Sequence, residues 1–487
     1  MEPSYAAGLE SMRREFDRVD CAVEGTIPAW LSGTLFRNGP GQFEVDGRSL
    51  NHWFDGLAML RRFRIADGEV TVSNRFLRSR EYEHVMETGE LRCDQFGTNA
   101  PSSLLDRLTG FLTPTLTDNA SISVDRIAQQ TVAITETPNA VAFDPETLAT
   151  EGCVEYNDGL SITGSLGHPH YDFAREMVVN VGVRFGRTSE YVLFERPTDS
   201  RIRREIGSFD VDRPAYIHSF GLTEQYAVLI ESPLRLRPTA LLRNRPFIEN
   251  YSWDGDASRF LLLDRRSGEV VSTRRVDPCF VFHHVNAFEH PSENRVIVDV
   301  IAFEDNEVIQ SLYLDRLRGG EESVPGGELR RYRLPVEEGA IAERTLLAGP
   351  IEFPMINYRR VTTCPYRYLY AMGHTNPPAI GLLNCLVKYD LETDRRQLWS
   401  EPGVYPSEPV FVPREFAPFP GAETVTAEDD GVVLSVLLDT RVDRSALLVL
   451  DAASFSEVAR ARLPETVPFG FHGQWYPDSD RPHRSMP

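Results

Sequence analysis

The sequence predicts an all-β fold arranged as a seven-bladed β-propeller, and two features of the chain indicate it. Many short apolar runs rich in Val, Ile, Tyr and Phe alternate with clusters of Gly, Pro, Asp and Asn, which is typical of strands joined by turns. One kind of turn also recurs along the chain at a regular spacing. A propeller blade has four strands, and 487 residues leave room for about seven blades of about 60 residues.

The predicted strands are apolar runs bounded by turn residues. Clear examples are residues 226–230 (YAVLI), 295–301 (RVIVDVI) and 431–438 (GVVLSVLL). Such runs are short and rich in β-branched residues, which favours strands over helices.

The recurring turn has the form D-x-x-S or D-x-x-T and follows a strand-like run each time. It begins at Asp144, Asp264, Asp390 and Asp451. The separations lie close to multiples of about 60 residues, as expected if an equivalent hairpin recurs in successive blades.

Domain organisation follows from the absence of any linker or low-complexity stretch within the chain. We predict a single propeller domain at residues 25–478. An N-terminal extension is predicted at residues 1–24 and a C-terminal tail at residues 479–487.

The charge balance is strongly acidic and argues against nucleic-acid binding. The chain carries 51 Lys and Arg against 72 Asp and Glu, a net charge of −21, whereas phosphate contacts need a basic face. Lys388 is the one lysine, so nearly all cationic residues are arginine. A GC-rich genome or a salt-adapted surface would each produce this composition, and we favour a halophilic source because high salt screens a large negative excess.

The cysteines and the apolar segments bear on cellular location. Six cysteines lie far apart without any C-x-x-C pair, which favours buried free thiols over a zinc ribbon or a disulfide framework. The chain start lacks the basic and apolar regions of a signal peptide, and no run of about 18 apolar residues occurs. We therefore expect a cytoplasmic protein that does not span a membrane.

Four histidine settings are the strongest functional signal. They surround His168, His218, His283 and His472, far apart in sequence. A single histidine beside apolar residues is usually a packed core residue. In a propeller, however, the innermost strand of every blade faces a common axis, so distant residues can converge on one ion.

Imidazole ligands suit zinc, copper, iron or nickel, and we prefer redox-capable iron because structural zinc sites usually include closely spaced cysteines. A metal-bound imidazole generally donates its other N–H to a carboxylate or carbonyl. Glu136, Glu352 and Glu408 lie in apolar or constrained contexts and are the candidate partners. Each taken alone is also compatible with an ordinary strand-edge or turn glutamate.

Nine segments in the same order resemble the carotenoid cleavage oxygenase family. They are residues 33–41 (GTLFRNGPG), 52–60 (HWFDGLAML), 167–170 (GHPH), 216–223 (YIHSFGLT), 282–289 (FHHVNAFE), 352–358 (EFPMINY), 407–412 (SEPVFV), 428–433 (EDDGVV) and 471–473 (FHG). The match covers about residues 25 to 476, and the ordered set is far more specific than any one segment.

This resemblance implies a seven-bladed propeller with a helical and loop cap over an axial non-haem Fe(2+). The metal ligands implied are His168, His218, His283 and His472, with His283 rather than His284 because the family's ligand directly follows the aromatic residue. The carboxylates implied to orient these ligands are Glu136, Glu352 and Glu408.

Other residues in these motifs have less specific roles. We expect His52 to support the structure rather than bind metal. Gly39, Pro40 and Gly41 are turn formers. Thr135 and Phe282 can each face the substrate or the opposite side of their strand, so neither is placed in the catalytic set.

The reaction implied is that of a dioxygenase in which O₂ adds across one conjugated double bond to give two carbonyl products. No serine elbow or phosphate-binding loop points to other chemistry. The resemblance favours cleavage of β-carotene at its 15,15′ bond to retinal, which a halophile could use in a light-driven pump. Cleavage of an apocarotenoid or another polyene, retinoid isomerohydrolysis and a non-catalytic binding propeller are the alternatives.

A carotenoid partitions into membranes, so we expect peripheral attachment to the inner face of the cell membrane. Residues 103–112 (SLLDRLTGFL) can form a helix with one apolar face, and residues 240–242 and 246–248 add a second apolar segment. Both can form a tunnel mouth and membrane patch, or the helix can simply cap the propeller. The sequence leaves the oligomeric state open.

Overall fold

The computed structural model describes residues 5–101, 116–186, 188–242, 245–320, 324–376, 381–422 and 424–478. Its strands form seven antiparallel blades, which confirms the predicted fold class. The blades are numbered along the chain, and their strands are given from the axis outwards.

Blade 1 combines strands from near both ends of the described chain, and blade 3 carries the first of the four histidine settings. Blade 1 consists of Gly473–Pro477, Gly33–Arg37, Leu57–Ala66, Glu69–Phe76 and Phe16–Asp20, with Pro40–Gln42 beside Leu57–Ala66. Blade 2 consists of Ser123–Ile127, Gln130–Ile134, Val141–Phe143 and Thr150–Cys153. Blade 3 consists of Gly164–Ser165 with His170–Asp172, then Met177–Arg184, Ser189–Pro197 and Arg204–Val211.

Blades 4 to 7 complete the ring. Blade 4 consists of Gly221–Leu222, Tyr226–Glu231, Ser258–Asp264 and Val270–Val276. Blade 5 consists of Phe280–Glu289, Arg295–Phe303, Gly327–Pro335 and the first half of Ala342–Met355. Blade 6 consists of the second half of Ala342–Met355, Tyr368–Gly373, Cys385–Asp390 and Arg395–Trp399. Blade 7 consists of Val404–Pro406 with Val410–Pro413, then Gly431–Asp439, Arg444–Asp451, Ser456–Arg462 and Ala22–Gly25.

Two short hairpins and several helices lie outside the blades. The hairpins pair Glu44–Val45 with Arg48–Ser49 and Leu234–Leu236 with Tyr251–Trp253. The α-helices are Arg80–Thr88, Glu307–Ser311, Leu314–Gly319 and Tyr358–Val361. The 3-10 helices are Ala6–Leu9, Trp53–Asp55, Pro238–Leu242 and Phe247–Asn250.

The recurring aspartate turn occupies an equivalent place in four blades. Asp144 directly follows the third strand of blade 2, and the other three aspartates end the third strands of blades 4, 6 and 7: Asp264, Asp390 and Asp451. Each carboxylate accepts a backbone N–H from the residue three positions later, at 2.8 to 3.3 Å. The side chain thus replaces a backbone partner in the hairpin, which explains the repeated sequence pattern.

The ends of the chain close the propeller. Gly33–Arg37 pairs with Gly473–Pro477 within blade 1, so the first and last parts of the chain share one sheet. The strands Phe16–Asp20 and Ala22–Gly25 extend the outer edges of blades 1 and 7. The sheets therefore begin within the segment expected to be an N-terminal extension, and the expected tail at 479–487 lies outside the described residues.

The core fills the spaces between neighbouring blades. Val181 and Leu193 of blade 3, for example, pack in one buried cluster with Leu229 and Leu261 of blade 4. All six cysteines are free thiols; four of them are buried, as predicted, whereas Cys153 and Cys364 are half-buried. Among the described residues, no helix is long and apolar enough to cross a membrane.

Candidate metal centre

Four blades each bring one histidine to the axis. His168 lies between the two short inner strands of blade 3, and His218 shortly precedes the inner strand of blade 4. His283 lies within the inner strand of blade 5, and His472 directly precedes that of blade 1. This arrangement results from the propeller topology, because each inner strand starts or passes beside the axis.

The four imidazoles form one compact cluster. His168 Nε2 lies 3.0 Å from His218 Nε2, and His283 Nε2 lies 3.3 Å from His472 Nε2. A nitrogen from each ring lies within 4.8 Å of all the others. Two nitrogens bound at right angles to one ion at about 2.1 Å would stand about 3.0 Å apart. The spacing therefore suits a shared metal ion.

Three glutamates fix three of these rings from outside the cluster. Glu136 accepts a hydrogen bond from His218 Nδ1 at 2.5 Å. Glu352 and Glu408 accept from His283 Nδ1 and His472 Nδ1, each at 2.6 Å. Among the described residues, His168 has no carboxylate partner.

The hydrogen bonds to glutamate determine which ring nitrogen of His218, His283 and His472 presents its lone pair to the centre. A carboxylate accepts, so Nδ1 carries the proton and the Nε2 of a neutral ring is a bare acceptor. The Nε2 atoms of His283 and His472 thus face each other as two acceptors, which cannot bond to one another. A cation between them removes this conflict, so the residues present fit a metal ion.

Burial favours the neutral form of two of the rings, those of His168 and His472. It lowers the pKa of His472 to about 4, against the opposing effect of Glu408. Burial and the neighbouring imidazoles lower the pKa of His168 well below its ordinary value. Neutral imidazole is the form that binds a metal ion.

His170 and His284, the second histidines of the two paired motifs, do not face the centre. His170 bonds through Nδ1 to the Tyr358 hydroxyl at 2.8 Å and donates through Nε2 to the Phe220 carbonyl at 2.7 Å. His284 bonds through Nδ1 to Ser219 Oγ at 2.9 Å. The structure thus places His168 and His283, and not their neighbours His170 and His284, in the four-histidine cluster.

His52 supports the structure around its own motif, residues 52–60 (HWFDGLAML). Its Nε2 donates to the Ile309 carbonyl at 3.0 Å, and its Nδ1 accepts the Phe54 backbone N–H at 3.1 Å. Both ring nitrogens are thereby used on backbone groups, so the ring has no lone pair for a metal ion.

Two further residues hold the glutamates, and the sequence reasoning missed both. Tyr216 donates its hydroxyl to Glu136 at 2.9 Å. Arg37 pairs with Glu408 and also donates to the Phe471 carbonyl at 2.7 Å. Arg37 lies within the GTLFRNGPG motif. The available signal in the sequence was an arginine between an apolar run and a set of turn residues.

A large cavity of about 1250 Å³ opens beside the four-histidine cluster. His218, His283 and His472 contribute to its wall. Thr135 and Phe282 also line the cavity. The sequence left open which side of its strand each residue faces, and both face the cavity. Aromatic side chains form much of the remaining wall: Trp53, Phe54, Phe96, Tyr216, Phe247, Tyr251, Phe353 and Phe471. A cavity of this volume with so many aromatic side chains in its wall suits a large apolar molecule rather than a small charged one.

The fold and the centre together define a propeller protein with four axial imidazoles beside a large cavity with many aromatic residues in its wall. A family model described as "Retinal pigment epithelial membrane protein" (RPE65) matches residues 9–477. The chain therefore belongs to the RPE65/carotenoid oxygenase family, as its motifs predicted.

Characterised relatives cover nearly the whole chain. The mouse (Mus musculus) protein named β,β-carotene 15,15′-dioxygenase is 34% identical, over 97% of this chain and 91% of its own length. The carotenoid isomerooxygenase of Galleria mellonella is 33% identical, with 93% of each chain covered. A solved structure of the Synechocystis apocarotenoid oxygenase superposes with a TM-score of 0.85 at 26% identity, covering 97% of this chain and 98% of that one.

Proposed function

We propose that this protein is a non-haem Fe(2+) dioxygenase that cleaves β-carotene at its 15,15′ double bond to give two molecules of retinal. The observation that carries the proposal is the cluster of four histidines beside a large cavity with many aromatic residues in its wall. The mouse and human relatives are named β,β-carotene 15,15′-dioxygenase, which supports this bond as the site of cleavage.

The atoms balance without any other co-reactant. One C=C bond breaks, and each of its carbons receives one oxygen atom of O₂, so the products are two aldehydes. His168, His218, His283 and His472 would hold the iron, which would supply the one-electron chemistry with O₂ that this cleavage requires.

The contribution of the protein chain is mainly positioning. The glutamates keep the Nε2 atoms of three histidines directed at the centre, and Tyr216 and Arg37 keep two of those glutamates in place. The aromatic cavity wall excludes water and holds the polyene in one register beside the centre. This register determines which double bond is cut.

Product analysis tests the proposal and separates it from its nearest alternative. The purified protein is incubated with β-carotene and, separately, with an apocarotenal under ¹⁸O₂, and the aldehydes are identified by mass spectrometry. We expect retinal from β-carotene, with ¹⁸O in the newly formed carbonyl groups. Products from the apocarotenal alone would instead assign the protein to apocarotenoid cleavage.

Two alternatives of other classes make different predictions. A retinoid isomerohydrolase would use iron as a Lewis acid and would convert a retinyl ester without consuming O₂. A non-catalytic binding propeller would retain the polyene unchanged. The histidine and glutamate set favours a catalytic centre over simple binding.

We further propose that the protein is cytoplasmic, acts at the inner face of the cell membrane and takes its substrate from the bilayer. The apolar segment at residues 103–112 lies outside the described residues. In the second segment, Leu241 and Phe247 line the cavity while Ala240 and Ile248 are buried. This segment belongs to the cavity wall, where a tunnel mouth would be expected. If the source is a halophile, retinal would provide the chromophore of a light-driven pump.

Substituting Leu108 and Phe111 with aspartate together is expected to abolish binding to liposomes while leaving the fold intact. Apolar side chains at a membrane surface provide the affinity, and two carboxylates there oppose insertion. Sedimentation with liposomes measures the effect, and circular dichroism checks the fold. Unchanged sedimentation would reject this segment as the membrane patch.

A further inference from the structure

Phe353 has an unusual backbone conformation directly beside the metal centre. Its φ is +54°, in the left-handed region, where a bulky residue is a true outlier. It also precedes Pro354, and a residue before proline is driven towards extended conformations with negative φ. Strain of this kind persists only where surrounding contacts impose it, and it is commonly found at functional sites.

The left-handed turn gives Glu352 a hydrogen-bond donor. The backbone N–H of Phe353 donates to Glu352 Oε2, the same oxygen that accepts from His283 Nδ1. Among the described residues, the other oxygen, Glu352 Oε1, is buried without any hydrogen-bond partner. The orientation of Glu352 thus depends on His283 and on this one amide.

The other two glutamates are held by different groups. Glu136 accepts from the Tyr216 hydroxyl, and Glu408 from Arg37 and from the Gly473 backbone N–H at 3.0 Å. In both cases the donor comes from a residue distant in sequence. Only Glu352 takes its additional donor from the next residue, so the peptide between Glu352 and Phe353 turns its N–H towards the Glu352 side chain, and the positive φ of Phe353 accompanies that peptide orientation.

The same turn also places the Phe353 ring. Its centroid lies 5.6 Å from that of His283 and 5.2 Å from that of His472, and the ring lines the cavity. The strand register shifts between Glu352 and Met355, so the turn is a local irregularity inside a paired strand.

We propose that Phe353 is a positioning residue of the metal centre that acts through its left-handed backbone, which holds Glu352 and thereby His283. The proposal rests on the metal site of the proposed function. It concerns metal binding and does not depend on which polyene is cleaved. Without the metal ion, the backbone at residue 353 can relax out of the strained conformation. Metal binding then has to restore that conformation, so residues that resist positive φ should weaken metal binding.

Three substitutions separate the role of the backbone from that of the ring. F353G removes the ring and accepts positive φ freely. F353L and F353I have side chains of equal composition, but the β-branched isoleucine opposes positive φ more strongly. The dissociation constant for Co²⁺ is measured for each metal-free protein, with thermal unfolding as the check on folding.

We expect F353G to bind Co²⁺ at least as tightly as the wild type, and F353I about tenfold more weakly than the wild type. F353L should lie between them, and it provides the comparison with F353G if F353I does not fold. Equal affinities, or an order that follows ring size with F353G weakest, would overturn the proposal, as would a wild type that binds no Co²⁺. A wild type that binds Co²⁺ in this order but forms no aldehyde with Fe²⁺ would contradict the dioxygenase function alone.

Discussion

Replacing His218 with alanine is expected to remove both the metal ion and the activity, whereas replacing His284 leaves the metal in place. His218 Nε2 faces the other imidazoles, and its ring is oriented by Glu136. Loss of a ligand should lower metal affinity by more than the roughly 10–100-fold that follows loss of an outer hydrogen-bond partner. Iron content by mass spectrometry and the rate of aldehyde formation measure the two effects.

His284→Ala is the matched control for this experiment. Its ring is half-buried next to the site but contacts Ser219 instead of the centre. Its loss should reduce the free energy of unfolding by about 1–3 kcal/mol without reducing iron content. Iron retained in His218→Ala, or lost in His284→Ala with the fold intact, would show that the ligands are wrongly assigned.

Replacing Arg37 with methionine is expected to destabilise the folded protein by about 3–5 kcal/mol, because it leaves a buried carboxylate without its cation. Arg37 is 2% exposed and Glu408 is 5% exposed. Although burial opposes the charged form, His472 and Arg37 hold the pKa of Glu408 below its ordinary value. Glu408 is therefore ionised in the folded protein at neutral pH. Urea unfolding compares the variant with the wild type.

The double variant R37M/E408Q separates the effect of charge from that of packing. It removes both charges, and the glutamine oxygen can still accept from His472 Nδ1. We expect most of the lost stability to return, since replacing both partners of a buried pair is often close to neutral. A double variant as unstable as the sum of the two single variants would contradict this account of Arg37.

The fold was predictable because its signals are local. The aspartate turns at Asp144, Asp264, Asp390 and Asp451 mark the same hairpin in four blades, and their spacing predicted the repeat. The strand Ala342–Met355 was harder to predict, because it forms the outer strand of blade 5 and continues without a turn as the inner strand of blade 6. The outer strands at residues 16–25 lack a comparable turn signal.

The histidine cluster was predictable for a different reason. His168, His218, His283 and His472 stand in motifs that identify them, and the propeller then brings them together. Tyr216 lies within such a motif as well, but its bond to Glu136 joins residues that are 80 positions apart, and no local pattern predicts such a pair. The left-handed backbone of Phe353 has no sequence signal, since phenylalanine before proline normally predicts an extended residue.

The central claim is that four imidazoles from four blades bind one iron ion. Crystals of the protein reconstituted with Fe²⁺ without air, measured on both sides of the iron absorption edge, test it most directly. We predict one anomalous peak for each chain, placed among the Nε2 atoms of His168, His218, His283 and His472. An anomalous map without a peak there, or with the iron bound elsewhere, would contradict the claim and the oxidative cleavage that depends on it.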